Sequence, residues 1–364
     1  MGADHKRIME EFVDSGVQAE RLGYWSLWVT EHHFASDRSY RPFDVSEDEY
    51  KTTDYDLSVD PLQMLTYLAA KTTDLRVGTA VVITHWDHPV RIAEKASILD
   101  NFSNGRVELG VGRGAGFREM ELFDVPLEPG ANNRRYHEAI EIIRGLWTGE
   151  PFAFDGEFYK LPANLQMVPR PVQPDVPLWI GSASLESAGW AARQNLPYAT
   201  ITWPLTQIDV YRQKAALFRE AAAEVNWDIS NVYNPHVLFM YCGETDEEAQ
   251  ETAYHYMKQF QYIIEQHYEN LLDHGQDRVV FAATSEMFRN VDGLARFPIE
   301  HHIIGSPETC AERIDWFQRE LGVNYFLLNI GWGAMPHEQT IKSMERLASK
   351  VMPRFGAVAA GAGH

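Results

Sequence analysis

The sequence predicts an α/β fold, a (β/α)8 TIM barrel that lacks its first strand. Three observations carry this reading. Short apolar strand patterns alternate with helical patterns along the whole chain, which means a parallel sheet buried on both faces. The count is seven strands, each followed by a helix, with one further helix in front of them. No Ser/Gly-rich tract, proline run or composition shift marks a linker, so residues 1–364 read as a single domain with insertions.

The elements follow in order. Apolar residues at helical spacing (Ile8, Phe12, Val13, Val17, Leu22) predict the leading helix, and Gly23 supplies its stop. A strand at Trp25–Val29 precedes a helix that opens at Asp60-Pro61, where Asp can cap and Pro can sit in the first turn. Strand Leu75–Ile83 leads to a helix from Val90 to Phe102, and strand Val107–Val111 to one from Asn132 to Trp147. Residues 152–159 read as a hairpin turning on Asp155-Gly156. Then come strand Leu178–Ile180 with helix Leu185–Arg193, strand Tyr198–Ile201 with helix Val210–Glu224, and strand Val237–Tyr241 with helix Glu247–Leu271. Strand Tyr325–Ile330 and helix Glu338–Val351 close the series. Residues 35–60 are an insertion after what would be the second barrel strand, and 272–304 a candidate mobile active-site loop.

Because the chain opens on a helix, strands Trp25–Val29 and Tyr325–Ile330 are expected to face a gap, with Trp28, Val29, Phe326 and Leu328 on open edges. The expectation is an N-terminally shortened form, or two edges that close directly on one another.

Net charge is −20, from 32 basic and 52 acidic residues, which argues against nucleic-acid or membrane-surface partners. The only two cysteines, Cys242 and Cys310, have no ligand spacing and fit a reducing compartment. With no apolar signal core at the N-terminus and no long apolar run, a cytoplasmic protein is expected.

In such a barrel, function collects at the C-terminal ends of strands. Glu31-His32-His33-Phe34 follows the first predicted strand, and a histidine there can act as a general base near neutral pH. No third or fourth ligand supports a metal site. Gly110-Val-Gly-Arg-Gly-Ala-Gly116 places Gly112 and Arg113 after a strand; glycines admit a close ligand and the guanidinium can clamp a phosphate. Gly181-Ser-Ala-Ser-Leu-Glu-Ser187 puts Gly181, Ser182 and Ser187 between a strand and a helix, a ready anion site. One serine is explained by ordinary capping. Asn132-Asn133-Arg134-Arg135 opens a helix from which an arginine could reach the same anion, whereas Gly305-Ser-Pro-Glu-Thr needs only a capping explanation.

Taken together, VTEHHF (29–34), RVGTAVVI (76–83), HPVRIAEKASILDNFSNGRVELGVGRG (88–114), WIGSAS (179–184), GSPETCAERI (305–314) and SMERLASKVMP (343–353) resemble the bacterial luciferase-like, or alkanal monooxygenase-like, family of flavin-dependent monooxygenases. The resemblance implies a TIM barrel that takes reduced FMN from a separate flavin reductase and uses O2 to oxidise a small organic substrate, as a homo- or heterodimer. It implies that His32 is catalytic and that Arg113, Ser182 and Ser187 hold the flavin phosphate, with a second arginine at Arg134 after a one-residue shift. It also implies a non-proline cis peptide at Ala80–Val81 beneath the flavin ring. Gly112 stands where light-emitting members carry a reactive cysteine, which speaks against bioluminescence. The rival readings are a deazaflavin-dependent oxidoreductase on the same barrel and a non-catalytic flavin-binding relative.

Overall fold

The computed structural model describes residues 5–33, 59–114, 123, 125, 130–181, 184–201, 208–257, 299–332 and 335–356. Most of the 35–60 insertion and of the 272–304 loop lies outside them, as does Ser182. Contacts divide the chain into two compact units, one of residues 25–33 and 58–182, the other of 1–24, 34–57 and 183–363.

In the first unit, β1 (Ser26–Val29), β2 (Arg76–Ile83), β3 (Val107–Gly112) and β6 (Leu178–Gly181) form a parallel sheet in that order. Helices α2 (Pro61–Ala69), α3 (Pro89–Ser103) and α4 (Ala131–Trp147) make the crossovers. Asp60 caps α2 by accepting from the amides of Leu62 and Gln63, and Pro61 sits in the first turn, as the sequence suggests. The second helix starts in the same way, at His88-Pro89. At the N-terminal end of the sheet, Arg76 pairs with the buried Glu108 and also donates to the carbonyl of Val107 and to Gln173.

The hairpin is longer than its sequence pattern indicates. Strands β4 (Phe152–Asp155) and β5 (Lys160–Leu165) flank a turn at 156–159, so Asp155-Gly156 only begins the reversal. The turn is held from outside: Glu138 of α4 accepts from the amides of Glu157, Phe158 and Tyr159 at 2.7, 3.0 and 3.1 Å.

In the second unit, β8 (Pro235–Cys242) pairs with β7 (Tyr198–Ile201) and β10 (Tyr325–Asn329), all parallel. A short strand absent from the sequence reading, β9 (Ile303–Gly305), pairs with the last residues of β8. Three residues carry too little periodicity to be read as a strand. Helix α1 (His5–Arg21) packs on α9 (His337–Lys350): Asp14 bonds His337 at 2.7 Å, Arg21 bonds Glu345 at 2.8 Å, and the Tyr24 hydroxyl donates to the Met344 carbonyl. Helices α5 (Leu185–Arg193), α6 (Ile208–Glu224), a helix α7 over 246–257 and α8 (Pro307–Leu321) complete the unit. Ser306 caps α8 by accepting from the Thr309 amide, so the capping reading of that segment holds.

Among the described residues β1 pairs only with β2, and β10 only with β8. Among the described residues the strands thus form a parallel α/β sheet consistent with a TIM-barrel-like fold that lacks one strand. No helix among the described residues is long and apolar enough to cross a membrane.

Candidate active site

The first unit brings a set of polar side chains together where β2 and β3 end and α4 begins. Arg113, the residue after β3, is half-buried, and its guanidinium donates to the Asn133 side chain in the first turn of α4. His85, just after β2, is 2% exposed; its Nε2 lies 3.1 Å from the Asn132 carbonyl and its Nδ1 3.2 Å from the Thr84 hydroxyl. Donation from Nε2 to the carbonyl leaves Nδ1 to accept from Thr84. Burial, reinforced by the charge of Arg135 and of Arg113, lowers the His85 pKa to about 4, so the ring is neutral at physiological pH. Tyr136 on the next position ties α4 to β3 through a 3.0 Å bond to the Val111 carbonyl.

The two arginines of α4 separate clearly. Arg134 is exposed and holds Glu157 through both Nε and Nη2, at 2.8 and 2.9 Å. Arg135 is half-buried; its Nε donates to the Tyr159 hydroxyl at 3.0 Å and its guanidinium stands 5.7 Å from that ring's centroid. Among the described residues, neither Arg113 nor Arg135 meets a carboxylate. The sequence reading settled on Arg134 because a count of positions cannot give helix phase. His85, too, went unremarked there. Its only signal was a polar residue immediately after a predicted strand.

A second group gathers at the ends of β1 and β2. One Glu31 carboxylate oxygen accepts from the Ile83 amide and the other bonds His33 Nε2 at 3.1 Å. The His33 ring meets Trp86 and Phe123 edge-on, at centroid distances of 5.2 and 5.5 Å. Trp86 Nε1 is buried and has no hydrogen-bond partner among the described residues. His32 is exposed, and its backbone makes an antiparallel bridge with Val59.

The peptide between Ala80 and Val81 is cis, at the position the resemblance indicates, where the β2–β3 register shifts between Thr79 and Val82. The glycines opposite serve this segment. A Cβ at Gly110 would lie 2.1 Å from the Thr79 carbonyl oxygen, and one at Gly112 2.5 Å from Val81 Cγ2. At Gly181 it would lie 3.1 Å from Val81 Cγ1. Close approach is thus required as expected, but the neighbour these glycines admit is the chain's own β2. A cysteine at 112 would collide with Val81, which accounts physically for glycine there.

In the second unit, Ser184 caps α5. Its Oγ accepts from the Ser187 amide at 3.2 Å and lies 2.8 Å from Ser187 Oγ. Ser187 is half-buried and Ser184 exposed. No group of three metal-ligating side chains occurs among the described residues.

The family described as "Luciferase-like monooxygenase" matches residues 2–325. The oxygenase component of a flavin-dependent trigonelline monooxygenase from Acinetobacter baylyi is 25% identical over 354 residues, 96% of this chain and 91% of that protein. Among solved structures, the oxygenating constituent of 3,6-diketocamphane monooxygenase from Pseudomonas putida, in complex with FMN, aligns with a TM-score of 0.74 at 18% identity, covering 97% of this chain and 95% of that one. An F420-dependent secondary alcohol dehydrogenase in complex with an F420-acetone adduct aligns with a TM-score of 0.67 at 17% identity, covering 94% and 93%. With a match spanning most of the chain, the structural neighbours sharing its fold, and a monooxygenase as full-length relative, the chain belongs to the luciferase-like monooxygenase family.

Proposed function

We propose that this chain is the oxygenase component of a two-component, FMN-dependent monooxygenase acting on a small organic substrate. The observation that carries the reading is the pair of half-buried guanidiniums, Arg113 and Arg135, that meet no carboxylate among the described residues. Half-buried cations without a counter-ion are costly, and a phosphate supplies the missing charge with bidentate geometry. The amides at the start of α4 add their dipole. His85 suits this role because it stays neutral beside two cations while fixing the first turn of α4.

In this reading Arg113 and Arg135 hold the flavin phosphate; Ser182 and Ser187, which the resemblance also assigns to it, lie respectively outside the described residues and in the other unit. Arg134 is replaced by Arg135, because its own guanidinium is already engaged by Glu157. Ala80, Val81, Gly112 and Gly181 form the floor beneath the ring system. Reduced flavin, when bound, supplies the electrons that activate O2. His32 is the group that moves protons at the reacting atoms. His32 lies three residues beyond the end of β1 and is exposed, which leaves it open to the reacting atoms. Glu31 and His33 then clamp the β1 and β2 ends rather than react. A reductase delivers the reduced flavin; most of the 35–60 insertion and of the 272–304 loop, which the sequence places on the active-site side, lies outside the described residues. A dimer forms through α2 and α3, which leave Tyr67, Ile98 and Phe102 exposed by 58%, 37% and 68%.

The F420-dependent neighbour supports the alternative of hydride transfer with a deazaflavin on the same barrel. Binding titrations with FMN, riboflavin and F420, followed by O2 uptake with enzymatically reduced FMN and a panel of aldehydes and cyclic ketones, separate the readings. Tight F420 binding with no FMN affinity refutes the proposal.

A further inference from the structure

The two cysteines of the chain, which no sequence spacing connects, meet in the second unit. Cys242 is the last residue of β8 and lies in register with Gly305 of β9. Cys310 is in the first turns of α8, and its thiol donates to the Gly305 carbonyl at 3.5 Å. Cys242, through strand register, and Cys310, through its thiol, therefore both meet Gly305. Both residues are fully buried. Gly243 alone separates Cys242 from the exposed Glu244 and Thr245.

The surroundings make the two thiols unequal. Arg346 donates to the Cys242 carbonyl at 2.6 Å, and Ser343 Oγ accepts from its amide at 2.8 Å. The Cys310 hydrogen bond, with the charges of Arg346 and Lys350, holds the Cys242 thiol below its ordinary range. The same hydrogen bond and burial push Cys310 up. Of the two, Cys242 is the thiol that ionises more readily, and Cys310 stays protonated.

We propose that Cys242 and Cys310 form a dithiol that closes to an intramolecular disulfide on exposure to a hydroperoxide. The Cys242 thiolate attacks one peroxide oxygen. The O–O bond breaks, an S–O bond forms, and the departing oxygen leaves as water with the proton Cys242 gave up. The Cys310 sulfur then attacks the Cys242 sulfur. The S–O bond breaks, the S–S bond forms, and the hydroxide leaves as a second water with the Cys310 proton. Two thiols lose two electrons and two hydrogens, and one hydrogen peroxide becomes two waters. Nothing in this step depends on the cofactor that the chain binds.

The test is titration of the full chain with hydrogen peroxide, read by intact mass and by peptide mapping without reductant. The expected result is a loss of two hydrogens, a cross-linked peptide pair joining 242 to 310, and reversal by dithiothreitol. In Cys310→Ser, Cys242 should stop at the sulfenic acid and be captured by dimedone. If that variant does not fold, the wild-type map decides alone. The proposal is overturned if both thiols of the folded chain stay reduced at peroxide levels that oxidise them in urea. It is equally overturned if the cysteines gain oxygen independently, or if the cross-link joins two chains.

Discussion

Replacing Arg113 by alanine tests the phosphate reading at its centre. The guanidinium is half-buried, bound only to the neutral Asn133 amide, and faces no carboxylate among the described residues, so its charge is free to meet an anion. Each charge-assisted hydrogen bond to a phosphate oxygen is worth roughly 1.5–3 kcal/mol, and a bidentate pair makes two. Arg135 remains in the variant and keeps part of the attraction, so the net loss expected is about 3 kcal/mol. That is about a 100-fold weaker FMN Kd. Riboflavin has the same ring and no phosphate, and its affinity should stay nearly constant. Arg113→Lys should fall between, keeping the charge but losing the fork. The assay is fluorescence quenching of each flavin by the titrated protein at fixed salt. Equal weakening of FMN and riboflavin refutes the argument, since Arg113 would then act on the ring or on the fold.

Arg135→Ala should lower FMN affinity in the same selective manner, whereas Arg134→Ala, which breaks an exposed pair with Glu157 and a contact with the Phe158 ring, should leave it alone; the opposite ranking restores the assignment to Arg134. His32→Ala should bind FMN normally and cut substrate oxidation by roughly 10²–10⁴, the span typical of acid–base groups, and a parallel loss of FMN affinity would make it a cofactor ligand. Gly112→Ala should destabilise the chain by about 1–3 kcal/mol in urea unfolding, because the new Cβ meets Val81 Cγ2 at 2.5 Å, with Val81→Ala restoring much of the loss. No rescue would mean that the strain lies in the backbone. His85 stays neutral in the fold down to about pH 4, while in the unfolded chain it takes up a proton near 6.5. Its contribution is therefore whole above pH 6.5, declines between 6.5 and 4, and removes up to about 3 kcal/mol across that window. His236, whose pKa is lowered to about 3 by burial and by Lys214, acts in the same direction. His85→Asn should flatten the dependence of urea midpoint on pH in that range, and an unchanged slope would contradict the buried, neutral imidazole.

The sequence by itself determined the alternation of strands and helices, because each element depends on residues close to one another along the chain. Asp60-Pro61, His88-Pro89 and Ser306-Pro307 set helix starts through local caps, and the apolar runs of β2, β3 and β8 are long enough to declare burial on both faces. The position of Arg113 after a strand was legible for the same reason. What depended on distant partners was not. Helix phase and the hold of Glu138 on the 156–159 turn put Arg135 against Tyr159 and left Arg134 to Glu157. The glycines at 110 and 112 announced a close approach, but only the bulge of β2 identified its own Val81 and Thr79 as the neighbours. Cys242 and Cys310 carried no shared pattern, and the pairing of β8 with the three-residue strand β9 alone brought them together. Local periodicity fixes what an element is; which of its side chains lacks a counter-ion or finds a partner is decided by everything packed against it.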